Sequence, residues 1–130
     1  ASTRFALPHI LASACETKGV ILVGSILSQY MEPGAAGYVS SKHALKGFAG
    51  CLFGEVREKG VKVCLIMPGF VATEMVQVFE GLIFENMLKP DDVAHAVECV
   101  LSFSASACPI EILLRPQYSA EGGTKHLSWA

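Results

Sequence analysis

The stretch GSILSQYMEPGAAGYVSSK, Gly24 to Lys42, decides how this 130-residue sequence is read. Before it lies KGVILV, whose apolar run Val20 to Val23 ends in Gly24 and Ser25. A short continuous apolar run that stops at Gly and Ser is a buried strand entering a functional loop. The loop carries the turn pair Pro33 and Gly34. From Ala35 to Lys59 the period becomes helical. Leu45, Phe48, Ala49, Leu52, Phe53 and Val56 recur at i, i+3, i+4, i+7, i+8 and i+11, one continuous stripe.

Working outward, Phe5, Ala6, Ile10, Leu11 and Ala14 mark a helix end over about residues 2–14, with Pro8 near its start. After the long helix, Gly60 takes the C-terminal position, and VKVCLIM, Val61 to Met67, is a second buried strand. PGFVATEM leaves that strand, and a mixed segment runs to about Lys89. Pro90, Asp91 and Asp92 start a third helix in the positions the helix dipole favours, with Val93, Val97, Val100 and Leu101 as its expected buried stripe. IEILL, Ile110 to Leu114, is a third strand, and the tail after Pro116 is patternless and expected on the surface. Alternating helices and strands imply a parallel α/β sheet. A first strand this apolar is expected to be internal, not an edge.

The hydrophobic fraction is 52% and the charged fraction 17%, so apolar surface needs cover from a two-sided sheet or a subunit interface. Net charge is −2, which gives no basic footprint for nucleic acid and no polybasic membrane signal; neither partner is expected. No apolar run nears the roughly 20 residues of a membrane span, and no signal peptide is visible. The five cysteines (15, 51, 64, 99, 108) form no CxxC and sit in apolar segments, so buried free thiols of a reducing compartment are expected. The four histidines (9, 43, 95, 126) have no ligand spacing and read as ordinary surface or half-buried residues; no metal site is expected.

Three side chains of the opening stretch have chemistry in common. Tyr38 and Lys42 are 42 − 38 = 4 apart and share one helix face. A phenol, with pKa near 10, is a poor base, but an adjacent ammonium favours its phenolate. Tyr38 can then exchange a proton with an alcohol or carbonyl oxygen. Ser25 stands at the C-terminal end of a strand, where open α/β sheets bind ligands, and its hydroxyl can hold the same oxygen. By spacing alone, Tyr38, Ser40, Ser41 and Lys42 also fit a plain polar helix start.

The context decides between these. GVILVGSILSQ…GYVSSKHAL resembles the short-chain dehydrogenase/reductase family, in which a Ser follows the fifth strand, the Tyr comes 13 residues later and a Lys follows at Tyr+4; here 38 − 25 = 13. MPGFVATEM is similar to the family's PG-x-x-x-T segment, and LKPDDVAHAV and IEILLRP look like its last helix and strand. The resemblance implies a Rossmann-like doubly wound parallel sheet. Of that sheet residues 1–130 hold only the C-terminal half, about three strands and three helices with a tail at 117–130. It also implies an NAD(P)-dependent oxidoreductase that interconverts an alcohol and a carbonyl on a small molecule. Tyr38 would be the general acid/base, Lys42 would lower its pKa and bind the nicotinamide ribose, and Ser25 would orient the substrate oxygen. Pro68, Gly69, Val71 and Thr73 would line the nicotinamide end of NAD or NADP. Thr73 also suits a helix N-cap. Residues 73–89 would be the substrate lid, with Met75, Val76, Phe79, Leu82, Ile83 and Phe84 as apolar candidates for substrate contact or for packing. The helix 35–59 would pack against its copy in a cytoplasmic dimer or tetramer, its Gly47, Gly50 and Gly54 letting a second helix approach.

No G-x-x-x-G-x-G turn for the cofactor phosphates occurs in the 130 residues, nor the acidic or basic residue that would choose NAD or NADP. The sequence begins partway through what resembles the family's fifth helix. It is expected to be a fragment of a normal enzyme. The alternatives are one half of a split enzyme and a truncated, inactive half-domain that serves as an interaction module.

Overall fold

The computed structural model describes residues 2–122. Three helices, α1 (Ser2–Ala12), α2 (Ala36–Val56) and α3 (Pro90–Ser102), alternate with three strands, β1 (Lys18–Val23), β2 (Val61–Pro68) and β3 (Glu111–Leu114). The strands are parallel in the order β1-β2-β3, with Val23 beside Ile66 and Leu114 beside Pro68. This register sets the C-terminal ends of all three strands at one level.

β2 is the centre, buried at every residue. Its alternate side chains face opposite layers, as a strand requires. Val61, Val63, Leu65 and Met67 meet Ala49, Leu52 and Val56 of α2, with Leu7, Ile10 and Leu11 of α1 beside them. Cys64 and Ile66 meet Ala96 and Val100 of α3. Lys62, at the strand's start, is also buried, and its ammonium donates to the carbonyls of Ser104 (2.7 Å) and Ala107. Hydrogen bonding of this kind makes burial of a charge tolerable.

Element ends follow local chemistry. Gly60, at φ 69°, takes the left-handed conformation that stops the turn after α2. α3 begins with Pro90 at its first position, and the Asp92 carboxylate accepts from the Lys89 N–H at 2.6 Å.

Among the described strands β1 is the outer one, with Val23 51% exposed; Val20 and Leu22 face α2 and Ile21 faces α3. The structure corrects four expectations. On α3, Ala96 is buried and Leu101 exposed, so the inward face is centred one position earlier. On α2, Phe48 is exposed at the margin of the stripe. Among the thiols Cys64 is buried and Cys108 half-buried, while Cys15, Cys51 and Cys99 are exposed. An apolar neighbour in a helical sequence points to a different face, so it does not bury the cysteine beside it. In the tail Gln117, Tyr118, Ser119 and Gly122 are exposed as expected, but Ala120 is buried with Val76 and Met87, and its carbonyl accepts from Ile83 N at 2.7 Å. His43 is half-buried and His9 and His95 are exposed, as expected, whereas His126 and the rest of the tail, 123–130, lie outside the described residues. No described helix is long and apolar enough to cross a membrane, and no described His, Cys, Asp and Glu cluster suits a metal ion.

Burial, then the neighbouring Cys108, Cys99 and Glu111, push the Cys64 thiol from 9.0 up to about 11. Only a thiolate is an effective nucleophile. In the native protein at pH 8, iodoacetamide is expected to modify Cys99 and to spare Cys64 until the fold is opened with denaturant. The folded state holds this proton more tightly than the unfolded state. Its contribution is therefore complete below pH 9 and lost as pH rises toward 11. Equal labelling rates for the two cysteines, followed by peptide mass spectrometry, would contradict this packing.

Candidate active site

Ser25 follows the C-terminal end of β1, and Lys42 of α2, with the Tyr38 ring beside it, reaches the same strand end. Gly24 still belongs to the ladder, its N–H donating to Ile66 O at 2.7 Å. It is buried, and a Cβ there would lie 2.8 Å from Ser28 Oγ and 3.0 Å from Leu65 Cδ1. Ser25 follows in extended backbone and caps a 3-10 turn, Ile26–Ser28. Its Oγ accepts from Leu27 N at 3.2 Å, while Ser28 Oγ accepts from Ser25 N at 3.3 Å. These bonds fix the Ser25 side chain, 8% exposed, through its acceptor side and leave its O–H proton for another acceptor.

Tyr38 lies in the first turn of α2, 45% exposed, which leaves the phenol open to solvent and ligand. One turn on, the Lys42 ammonium lies 5.5 Å from the centre of the Tyr38 ring. It also donates to Val23 O at 3.2 Å, tying the helix to the end of β1 two residues before Ser25. An ammonium has three donors, so one bond to Val23 leaves others for a ligand. α2 begins after the Pro33-Gly34 turn, with Gly34 at φ 85°.

The second group of expected residues follows β2. Pro68 is buried at the strand's end. Gly69 donates to Leu114 O at 2.8 Å, and a Cβ on it would touch Pro116 Cδ at 3.0 Å. Val71 pairs with Leu88, through Ala72 N to Leu88 O (2.9 Å) and Leu88 N to Phe70 O (3.0 Å). Leu88 therefore belongs to this wall, although no sequence pattern singles it out. Thr73 occupies the N-cap position of a 3-10 turn, Glu74–Val76, but its side chain makes no capping bond; it donates instead to Val71 O at 3.4 Å.

The lid candidates divide. Val76 is buried against Met87 and Ala120, with Leu82 and Phe84 packed on them, so these three serve packing. Met75 (73% exposed), Phe79 and Ile83 are exposed and remain available for contact.

Residues 2–81 match the profile of the family described as short chain dehydrogenase. Dehydrogenase/reductase SDR family member 7C of Xenopus tropicalis is 38% identical over 75 residues, 58% of this chain and 24% of that protein. The 3-oxoacyl-[acyl-carrier-protein] reductase FabG of Haemophilus influenzae is 36% identical over 59 residues, 45% of this chain and 24% of that protein. Among solved structures, a betaketoacyl-[ACP] reductase (FabG) from Bacteroides thetaiotaomicron superposes with TM-score 0.61 at 28% identity, over 76% of this chain and 40% of that one. The 3-ketoacyl-(acyl-carrier-protein) reductase from Brucella melitensis, complexed with NADH, gives TM-score 0.76 at 20% identity, over 88% of this chain and 50% of that one. The chain thus spans about a quarter of these curated relatives and up to half of these solved chains.

The close approach at Gly24 yields a direct test. Gly24→Ala forces Ser28 and Leu65 apart from the new methyl and is expected to destabilise the native protein by about 1–3 kcal/mol, the usual cost of overpacking. Urea denaturation measures this. A neutral or stabilising effect would show that the turn below Ser25 is not packed as described.

Proposed function

The chain belongs to the short-chain dehydrogenase/reductase family, and we propose that it forms the catalytic C-terminal part of an NAD(P)-dependent oxidoreductase acting on a small alcohol/carbonyl pair. The observation that carries this reading is Lys42, whose ammonium spans the Tyr38 ring and the end of β1 that leads to Ser25.

In the direction of reduction, Tyr38 donates its phenolic proton to the carbonyl oxygen of the substrate; in oxidation it takes the proton from the alcohol. Lys42 holds the end of β1 beside Tyr38 and keeps further donors for the ligand. Ser25 donates its O–H to the same substrate oxygen and holds it against Tyr38. Tyr38 exchanges its proton with solvent through its exposed side. NAD or NADP, when bound, supplies or accepts the hydride. The residues present suit its nicotinamide end: Lys42 has donors for a ribose, and Pro68, Gly69, Val71 and the exposed Thr73 hydroxyl border the C-terminal edge of the sheet. Met75 and Phe79 would contact substrate from the lid. Free thiols throughout the described residues support a reducing, cytoplasmic setting.

We also propose a homo-oligomer, dimer or tetramer, through α2. Gly47 and Gly54 are 54 − 47 = 7 apart, about two turns, and apart from adjacent residues and the helix's own backbone no atom lies within 4 Å of a Cβ at Gly47, Gly50 or Gly54. Each glycine costs the helix about 1 kcal/mol relative to Ala, which close approach of another helix would offset.

In the full-length protein, Tyr38→Phe is expected to lower kcat by at least 10²-fold, the low end for general acid–base catalysis, with cofactor affinity nearly unchanged. Lys42→Met is expected to harm both. Stopped-flow turnover with cofactor titration tests this, and Tyr38→Phe retaining a tenth of kcat would refute the assigned role. For the assembly, Gly50→Leu is expected to dissociate the oligomer with far-UV circular dichroism unchanged. A wild-type monomer by light scattering would exclude the α2 interface.

A further inference from the structure

A second side-chain bridge ties the Ser25 turn to α2 from its far end. Glu111, the first residue of β3, uses one carboxylate oxygen, Oε2, to accept from Gln29 Nε2 at 3.2 Å and from Lys46 Nζ at 3.1 Å. Gln29 is the residue that ends the 3-10 turn Ser25 begins. Lys46 is 46 − 42 = 4 residues after Lys42 and so lies on the same face of α2. Lys42 grips Val23 O before Ser25, while Lys46, through Glu111, grips Gln29 after it. The segment Val23 to Gln29 is thus held at both ends by two lysines of one helix, the helix that carries Tyr38.

We propose that Lys46 and Glu111 are positioning residues, which set the Ser25 hydroxyl against Tyr38 by clamping Gln29; the catalytic consequence rests on the oxidoreductase reading above. A single 3-10 turn is weak by itself and does not fix its own orientation. The bonds at Gly24 N and Val23 O anchor its entry. Its exit, Gln29, is held by the carboxylate of a different strand. Lys46 holds that carboxylate in place, so the geometry of α2 is transmitted to the turn. The pair is partly exposed, at 34% and 37%, and an exposed pair adds little to global stability. Turnover is far more sensitive, since displacement of a catalytic group by about 1 Å costs up to 10²-fold. The clamp therefore separates from a plain stabilising bridge: it governs turnover and local opening more than the fold.

The test compares Glu111→Ala, Lys46→Met and Glu111→Gln in the full-length protein by hydrogen exchange and by kinetics. The kinetic probe is ethyl acetoacetate with NADH or NADPH. Glu111→Gln keeps an acceptor for both Gln29 and Lys46 and is expected to stay within about twofold of wild type in both readouts. In Glu111→Ala and Lys46→Met, the amides of Ser28, Gln29 and Tyr30 are expected to exchange about tenfold faster while those of β2 keep their protection. In the same two variants kcat is expected to fall about five- to tenfold with the cofactor KM unchanged. Unchanged exchange in the turn, or an equal rise across β2, would overturn the clamp. Faster local exchange with kcat intact would overturn its positioning role. If the wild type turns over no carbonyl probe, local exchange still decides the clamp, and the failure belongs to the oxidoreductase reading.

Discussion

β2 is the constraint from which the rest of the structure follows. It pairs with β1 along Val61–Ile66 and with β3 along Leu65–Pro68 and is covered on both faces, so nearly every side chain must be apolar. Val61, Val63, Leu65 and Met67 set the position of α2 and α1; Cys64 and Ile66 set that of α3. The exception, Lys62, survives at the strand's start because two carbonyls of the α3–β3 connection meet its ammonium. Lys62 consequently fixes that connection, and with it the entry into β3.

The site inherits its level from the same strand. Since Val23 lies beside Ile66 and Leu114 beside Pro68, the segments leaving the three strands emerge along one rim. Gly24 bonds to Ile66 O and Gly69 to Leu114 O, each extending a ladder by one residue before the chain turns away. At both positions a side chain would collide with a neighbour, with Leu65 and Ser28 in one case and Pro116 in the other. Close approach by backbone is thus what brings Ser25 and the segment after Pro68 to a common edge.

Most of this order was legible in the sequence. Continuous apolar runs marked the three strands, and glycine and proline punctuation marked their ends, because these signals are local. The phase of α3 was misread for a physical reason: Ala96 is small, so it hardly registers in a hydrophobic pattern, yet it is buried, while Leu101 lies off the face. The apolarity of β1 reports its covered faces and by itself says nothing of its paired edges. The Tyr38 and Lys42 relation is a spacing of four and could be read directly. The carboxylate of Glu111 joins Gln29 and Lys46 across 82 and 65 residues, and no local pattern encodes such a meeting. Leu88 was missed likewise, since its partnership with Val71 exists only once the chain has folded back.

The segment from Thr73 to Lys89 shows how one stretch can be anchored and adaptable together. Its regular structure is two 3-10 turns, Glu74–Val76 and Phe84–Asn86, and single bridges from Leu82 to Glu121 and from Leu88 to Val71. Apolar contacts supply the anchor: Val76 and Met87 enter a small core with Ala120, and Asn86 Nδ2 donates to Ser119 O at 2.7 Å. The base of the segment is thereby tied to the chain beyond β3. Met75, just before the first anchor, and Phe79, between the anchors, are largely exposed, and Ile83 is partly so. Large apolar side chains on a loosely bonded loop cost little to rearrange, and a ligand that covers them recovers the hydrophobic free energy of their exposed area. Anchored ends with exposed apolar side chains beside them suit the substrate lid proposed above. The same division explains why hydrophobicity alone could not sort these residues: the six are chemically alike, and only the anchoring contacts of the folded chain distinguish them.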